Sequence, residues 1–291
     1  MADGTDPTPS ELSDLALVGD KLWTLDDNRL KKGVDYKINV GQGKKTYESH
    51  DAASEPLFSF VNDELIHEKP TFKALMAIRD NYSALTGTAE VETVEERKEI
   101  LDFLDVCMAT RPMKYARKYL AAKGLASADK TDFKKMLYQM WFSFYRRDGQ
   151  NDSCGFEHVF MGEADISTNE ISGFHNWIQF WAKEKEGKLE YKGYIKPRNR
   201  GEVVDGNDRV LSCQFAWNGL LKNVTTMFLG TSPEFEMALY TIVFLAGSER
   251  NNMHIKGYEL CIRSYSIKSK YGDKIGTVFP ELMAETGDHH E

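Results

Sequence analysis

Two histidines, His158 and His175, lie in one dense run, CGFEHVFMGEADISTNEISGFHNWIQFWAKEKE, spanning 154–186. Histidine is the side chain best suited to moving protons near neutral pH. Glu157 and Glu163 stand beside His158, and Lys222 is the only charge between Arg209 and Glu234. These types allow three readings. A metal site could be built from His158, His175, Glu157 and Glu163, whose ligand types suit a borderline or hard divalent ion, although the spacing matches no zinc motif such as HExxH. Metal-independent acid/base catalysis could use one histidine as base, the other as acid, and Lys222 to hold developing negative charge. That is the set needed for transesterification of RNA, where the ribose 2′-OH attacks the adjacent phosphorus and a 2′,3′-cyclic phosphate results. In the third reading both histidines are hydrogen-bonded structural residues at a core edge. The residues alone leave all three open.

The elements that must position these groups divide at Arg147–Asp152, where composition turns polar around Gly149. The expected organisation is a disordered tail over 1–8, a helix-rich N-terminal lobe over 9–148, a catalytic lobe over 149–284 and a frayed tail over 285–291. In the first lobe, Thr8-Pro9-Ser10-Glu11 and Thr93-Val94-Glu95-Glu96 are capping boxes. Leu12, Leu15, Val18 and Leu22 follow the first at helical spacing. A loop or short hairpin is expected around Tyr36–Val40, with LFSFV at 57–61 opening the next element and a helix from Thr71 to Leu85 closed by Gly87. Pro112 restarts a helix that runs to Gly124. Phe133, Met136, Leu137, Met140, Trp141 and Phe144 form one apolar helical face, a stripe of the kind that is usually core. Nothing before residue 150 demands chemistry.

In the second lobe, Phe156, His158 and Phe160 alternate with Glu157, Val159 and Met161, which predicts a strand or extended loop. Ser172 is expected to cap a helix carrying Phe174, Trp177, Ile178 and Trp181, with His175 in its first turn, where the helix end lowers a histidine pKa. Leu189–Ile195 and the alternating Leu211, Cys213, Phe215 and Trp217 predict strands, the second half-buried. Gly230-Thr-Ser-Pro-Glu234 turns into a helix, and Tyr258–Ile267 with Ile275–Phe279 predicts a β-hairpin. Helices followed by interleaved short strands and helices argue for α+β rather than a doubly wound sheet. There is neither GxGxxG nor GxxxxGK[ST].

A chain of 291 residues that is 41% hydrophobic can bury a sizeable core. Its net charge of −8 argues against non-specific nucleic-acid binding by the whole surface, leaving room for a local basic groove. Four scattered cysteines make no CxxC pair, and reduced, buried thiols are expected. The N-terminal residues lack the basic and apolar regions of a signal peptide, and no window reaches a membrane span, so a protein of the cytosol or nucleus is expected.

GFEHVFMGE, ISGFHNWIQFWAKEK, YKGY, LKNVTTMFLGTSPEFEMALYTIVFL and IGTVFP, in this order, resemble the EndoU (XendoU-type) family of poly(U)-specific endoribonucleases. NRLKKGVDYKI and LFSFV resemble the helical N-terminal region of its animal members. The resemblance implies an α+β fold in which a helical N-terminal lobe packs on a catalytic lobe of short antiparallel sheets and helices. It implies cleavage of single-stranded U-rich RNA at uridylates by a monomeric enzyme. His175 (in FHNW) would be the base on the 2′-OH, His158 (in FEHVF) the acid on the leaving oxygen, and Lys222 (in LLKNV) the cation. Glu157 and Glu163 match carboxylates that matter in animal members, either as support for His158 or as a site for an activating Mn²⁺ or Ca²⁺. Thr277 and Phe279 match a substrate-binding stretch. Phe279 stands where the family usually carries Tyr; a phenyl ring stacks on a base but donates no hydrogen bond. Lys192, Lys196, Arg198, Arg200 and Lys222 are candidate groove cations. Two rivals remain: an RNA-binding regulatory module on the same fold, and a metal-dependent nuclease leaving a 5′-phosphate.

Overall fold

The computed structural model describes residues 3–195, 209–270 and 272–282. The expected groove residues Lys196, Arg198 and Arg200, and the tail over 285–291, lie outside the described residues.

The first half is mostly helical. Helix α1 (Pro9–Ser13) starts at the Thr8 capping box and stops at Asp14, whose backbone is extended. The Asp14 side chain caps a 3₁₀ turn, Leu15–Leu17, before α2 (Val18–Leu25) begins. The helical spacing of Leu12 to Leu22 is therefore carried by three short pieces rather than one helix. Strand β1 (Tyr36–Ile38) does not close a local hairpin. It pairs antiparallel with β3 (Phe58–Val61), while β2 (Gly43–Lys44) lies between them in sequence and joins another sheet. Helices α3 (Asp63–Glu68) and α4 (Pro70–Ala77) follow. α4 ends well before the expected Leu85, because Asp80, Asn81 and Ser83 favour turn conformations over helix. α5 (Val94–Met108) has the Thr93 capping box, α6 (Arg111–Ala122) has Pro112 in its first turn, and α7 (Lys130–Trp141) buries Phe133, Leu137, Met140 and Trp141.

The second half alternates sheets and helices. β4 (Glu163–Asp165) and β5 (Glu170–Ser172) form a small hairpin, followed by α8 (Trp177–Lys185). β6 (Leu189–Ile195), β7 (Val210–Trp217) and β8 (Leu220–Phe228) pair antiparallel, and β2 adds to β6 in parallel. After α9 (Pro233–Ala246), strands β9 (Arg250–Ile255), β10 (Tyr258–Ile267) and β11 (Lys274–Leu282) form an antiparallel sheet in the order β11-β10-β9. The expected hairpin is thus two strands of three. β7 is buried on almost its whole length rather than on one face.

α9 holds the fold together. It is buried from Pro233 to Val243, all the way round, as expected for a helix with apolar residues on every side. It packs against α2, α4, α5, α6, β10 and β11, so one apolar core runs through both halves. Among the described residues no helix is long and apolar enough to cross a membrane.

Candidate active site

His158 sits in a π-helical turn, Glu157–Met161, rather than the strand its alternating neighbours suggest. The Gly162 amide donates to Glu157 O at 2.9 Å, a five-residue closure. Phe156 and Phe160 stack with centroids 4.7 Å apart, which a strand rising about 3.3 Å per residue would forbid. Phe142 stacks on the other side of Phe156, also at 4.7 Å. Burying this aromatic stack anchors the turn; truncating Phe156 to Ala would cost about 3–5 kcal/mol.

His175 lies outside α8, not in its first turn. Ser172 ends β5, and the N-cap is Asn176, whose side chain accepts from the Ile178 and Gln179 amides. Between them the chain takes a left-handed step at Gly173 (φ 61°) and Phe174 (φ 66°). A Cβ on Gly173 would come within 1.8 Å of His158 O, so only glycine allows this approach. The step lets the Phe174 amide donate to His158 O at 3.0 Å and the His175 amide to Val159 O at 2.8 Å. Two backbone hydrogen bonds therefore join the segments carrying the two histidines.

Both imidazoles are nearly buried, 5% and 6% exposed, and each has its Nδ1 engaged. His158 Nδ1 is 2.5 Å from Glu163 Oε2. Burial pushes the Glu163 carboxyl up, but the His158 hydrogen bond and the charges of His158 and Arg147 outweigh it and hold it below its usual value. Glu163 is thus ionised, His158 Nδ1 is the donor, and Nε2 is left for chemistry. Burial also lowers the His158 pKa; Glu163 pushes back, and Arg147 and Lys222 add to the lowering. His175 Nδ1 lies 3.1 Å from Thr226 O and 3.2 Å from Thr225 Oγ1. A carbonyl only accepts, and Thr225 donates its own proton to Phe174 O at 2.6 Å. Nδ1 must then carry the hydrogen, which makes Nε2 an unprotonated lone pair. Burial, then the charges of Lys222 and His158, push the His175 pKa well below its ordinary value.

Lys222, on β8, donates from Nζ to Ile171 O at 2.7 Å, which ties it to the hairpin below His175. Burial lowers its pKa to about 8, so it stays largely charged at neutral pH with ammonium protons to spare. β8 carries Lys222 together with Thr225 and Thr226, the partners of His175 Nδ1, and the backbone bonds between the two histidine segments complete the grouping, close enough that Lys222 lowers both histidine pKa values. The Phe279 ring stacks on His175, centroids 4.5 Å apart and planes 9° from parallel. Both border a cavity of about 190 Å³ with Ser212, Thr225 and Thr226. Thr277 Oγ1 is buried without a hydrogen-bond partner. A larger cavity, about 800 Å³, lies elsewhere, between α7, α9, β10 and β11, and none of the expected site residues lines it.

Glu157 and Glu163 separate in role. Glu163 orients His158. Glu157 is buried beside the half-buried Glu90, and burial followed by the charges of Glu90 and Glu163 pushes its carboxyl far up, so it holds its proton at neutral pH. Glu90 Oε2, Glu157 Oε2 and Glu163 Oε1 are buried oxygens without partners. Carboxylate oxygens suit Ca²⁺ or Mn²⁺, so the donor chemistry fits a hard divalent ion. The arrangement is not a preformed ligand set, because among the described residues no three His, Cys, Asp or Glu side chains are placed to hold a metal. Lys192 is no open groove cation: it pairs with Asp51 at 3.0 Å and Glu190 at 2.7 Å.

Sequence reasoning missed Glu90, Arg147, Thr225 and Thr226. Arg147 Nε reaches Glu163 Oε2 at 3.3 Å and Nη2 donates to Gly276 O at 2.7 Å, bridging His158's partner to the strand of Thr277 and Phe279. The first half therefore contributes to the site. In the second half, the TT pair in VTTMF was visible close to Lys222, but only strand pairing reveals which threonine groups face His175.

The endoribonuclease XendoU family model matches residues 14–280. The chain is 43% identical over 282 residues to poly(U)-specific endoribonuclease-A of Xenopus laevis, covering 93% of this chain and 94% of that protein. It is 40% identical over 287 residues to uridylate-specific endoribonuclease C of Danio rerio, covering 95% and 90%. The solved structure of XendoU, a splicing independent snoRNA processing endoribonuclease, superimposes with a TM-score of 0.81 at 43% identity, covering 92% of this chain and 97% of that one. Its α+β architecture is that of the XendoU structure, and the chain belongs to the endoribonuclease XendoU family.

Proposed function

We propose that this protein is an endoribonuclease that cleaves single-stranded RNA at uridylates and leaves a 2′,3′-cyclic phosphate. The single observation that carries this reading is the hydrogen bonding of the two histidines: His175 Nδ1 faces the Thr226 carbonyl and His158 Nδ1 faces Glu163, which leaves Nε2 of each ring for chemistry. Relatives named as poly(U)-specific and uridylate-specific endoribonucleases support the substrate class.

In the proposed reaction His175 Nε2 takes the proton of the 2′-OH as O2′ attacks phosphorus. The P–O5′ bond breaks, and Nε2 of protonated His158 gives its proton to the departing O5′. Lys222 holds the non-bridging oxygens of the phosphorane, where a charged donor in a dry site counts most. Both histidine pKa values are lowered in the free enzyme. The phosphodiester anion favours the charged imidazole, so substrate binding itself raises the protonated fraction of His158. Thr277 and Phe279 would contact the uracil, the former by its unpartnered hydroxyl. Mn²⁺ or Ca²⁺ would act away from phosphorus, held by the unpartnered oxygens of Glu90 and Glu157, with Glu157 giving up its proton to the ion.

Replacing the 2′-OH of the scissile uridine by hydrogen should abolish cleavage, and end-group analysis should find the cyclic phosphate on the 5′ fragment. A deoxy substrate that is still cut, or a 5′-phosphate product, would falsify the mechanism. His158→Ala, His175→Ala and Lys222→Ala should each lose about 10²–10⁴-fold in kcat.

A further inference from the structure

His175 stands between two constrained points of the chain. Before it, Gly173 and Phe174 take their left-handed step; after it, Asn176 caps α8. A phenylalanine at φ 66° is held against its own preference, so the step persists only where the chain is fixed on both sides. Upstream it is fixed by the bonds to His158 O and Val159 O. Downstream it is fixed by a residue of α9, Glu236, that takes no part in the chemistry.

Asn176 is fully buried, and its two ends do different things. Oδ1 accepts from the Ile178 and Gln179 amides, both at 3.1 Å. That is the cap, and a serine or aspartate would serve as well. With Oδ1 so used, Nδ2 faces the other way and donates to Glu236 Oε2 at 3.3 Å. Glu236, in the first turn of α9, is fully buried too. Its other oxygen, Oε1, lies 2.9 Å from Thr231 Oγ1. The Thr231 carbonyl in turn accepts from the Trp177 indole at 2.8 Å. Asn176, Glu236, Thr231 and Trp177 thus close a circuit that locks the start of α8 to the start of α9.

This circuit shares its two stretches of chain with His175. Asn176 and Trp177 follow His175 directly. Thr231 follows β8, whose Thr226 carbonyl accepts from His175 Nδ1 and whose Thr225 hydroxyl donates to Phe174 O. Segments 174–177 and 225–231 are therefore pinned to each other both before and after His175.

Packing alone does not call for a carboxyl here. A buried carboxyl needs hydrogen bonds or a counter-charge. Asn176 and Thr231 supply the bonds, while burial, with Asp26 adding to it, still pushes the Glu236 carboxyl up to about 8, so it is largely neutral at pH 7. A leucine would fill a similar volume without that burial penalty. What leucine cannot do is hold the Asn176 amide.

We propose that Glu236 is a positioning residue for His175, acting through Asn176 to fix the entry into α8 and, with it, the backbone that presents the imidazole. This rests on the RNA-cleaving reading above, in which His175 is the base.

The test uses the full chain and a U-containing RNA oligonucleotide. Glu236→Leu breaks the circuit, and kcat should fall about 10- to 100-fold with KM within about twofold, as for a displaced but intact catalytic group. Glu236→Gln offers Asn176 an acceptor and Thr231 a donor, and should keep kcat close to the wild-type value. Asn176→Ser keeps a cap for α8 but cannot reach Glu236, and should show the same loss as Glu236→Leu; it carries the test where Glu236→Leu does not fold. Asn176→Ser/Glu236→Leu should lose no more than either single variant, because both remove one link. In the free protein the His175 Nδ1 proton, followed by NMR, should exchange with water about tenfold faster or more in Glu236→Leu and Asn176→Ser, and at the wild-type rate in Glu236→Gln. Wild-type kcat with an unmoved Nδ1 proton in a folded Glu236→Leu or Asn176→Ser overturns the proposal. Additive losses in the double variant overturn it too, as does a lowered melting temperature as the only change. Failure of the wild type to cut the oligonucleotide would instead sink the RNA-cleaving reading, and the Nδ1 exchange would still decide whether Glu236 holds His175.

Discussion

The imidazole of His175 lies flat against the phenyl ring of Phe279, with centroids 4.5 Å apart and planes 9° from parallel. The ring thus walls the base on one side while lining the cavity that would take the uracil. Phe279→Ala should lose the stack, worth about 0.5–1.5 kcal/mol for aromatic pairs, and with it about 2- to 10-fold in kcat as the imidazole loosens. Phe279→Tyr keeps the stack and adds a donor. It should raise the preference for uridine over cytidine in kcat/KM on paired dinucleotides. An unchanged ratio would mean that position 279 plays no part in base choice and leave it to Thr277.

The pH profile should lie to the acid side. The pKa of His175 is pushed well below its ordinary value and that of His158 is lowered too. The base must be deprotonated and the acid protonated, so kcat/KM rises with pH through the His175 value and falls through the His158 value. Both limbs report the free enzyme and should lie below the usual 6.5. A second loss is expected near pH 8, where Lys222 gives up its charge. In kcat both histidine limbs should move up, because the bound phosphodiester favours imidazolium. A kcat/KM optimum well above 7 contradicts these assignments.

Glu163→Gln should cost about 10- to 100-fold in kcat, the scale for removing a partner that orients a functional histidine, with KM little changed. The carboxylate is ionised and accepts from His158 Nδ1. Without it the imidazolium loses its counter-charge, so the falling limb of the pH profile moves to still lower pH. A purely structural role would lower the melting temperature and leave that limb where it was.

Glu157→Gln should stabilise the protein at alkaline pH. Its folded pKa is raised, by burial and by Glu90 and Glu163. A raised carboxyl contributes stability that is fully present below the unfolded carboxyl value and is lost as pH rises through the folded one. The amide is neutral throughout and escapes that loss. The difference in melting temperature between variant and wild type should therefore shrink as pH falls towards 5. Mn²⁺ or Ca²⁺ held at this cluster should raise the wild-type melting temperature and leave Glu157→Gln unmoved; equal shifts in both place the ion elsewhere.

Local signals were legible in the chain. Thr8, Thr93 and Ser232 cap helices as their sequence contexts announce, and α7 follows its apolar stripe. His158, His175 and Lys222 could be singled out because their types are scarce and their neighbourhoods distinctive. What was not legible depends on long-range contacts. Phe156, His158 and Phe160 alternate as a strand would, and only packing against Phe142 shows the π turn. Ser172 looks like a helix cap, but the left-handed Phe174 delays the helix to Asn176, and no residue pattern signals a strained phenylalanine. Glu90 and Arg147 come from a stretch that reads as scaffold. Their part in the site follows from the tertiary contacts that set Glu90 against Glu157 and Arg147 against Glu163.

The amides of Phe174 and His175, which donate to His158 O and Val159 O, also make the site a single cooperative unit. One histidine segment cannot open without breaking the other's anchorage. In native-state hydrogen exchange these two amides should therefore report one shared opening free energy. Catalytic competence would then be lost in one step, at a threshold set by this small β-hairpin and π turn rather than by the global stability of the chain.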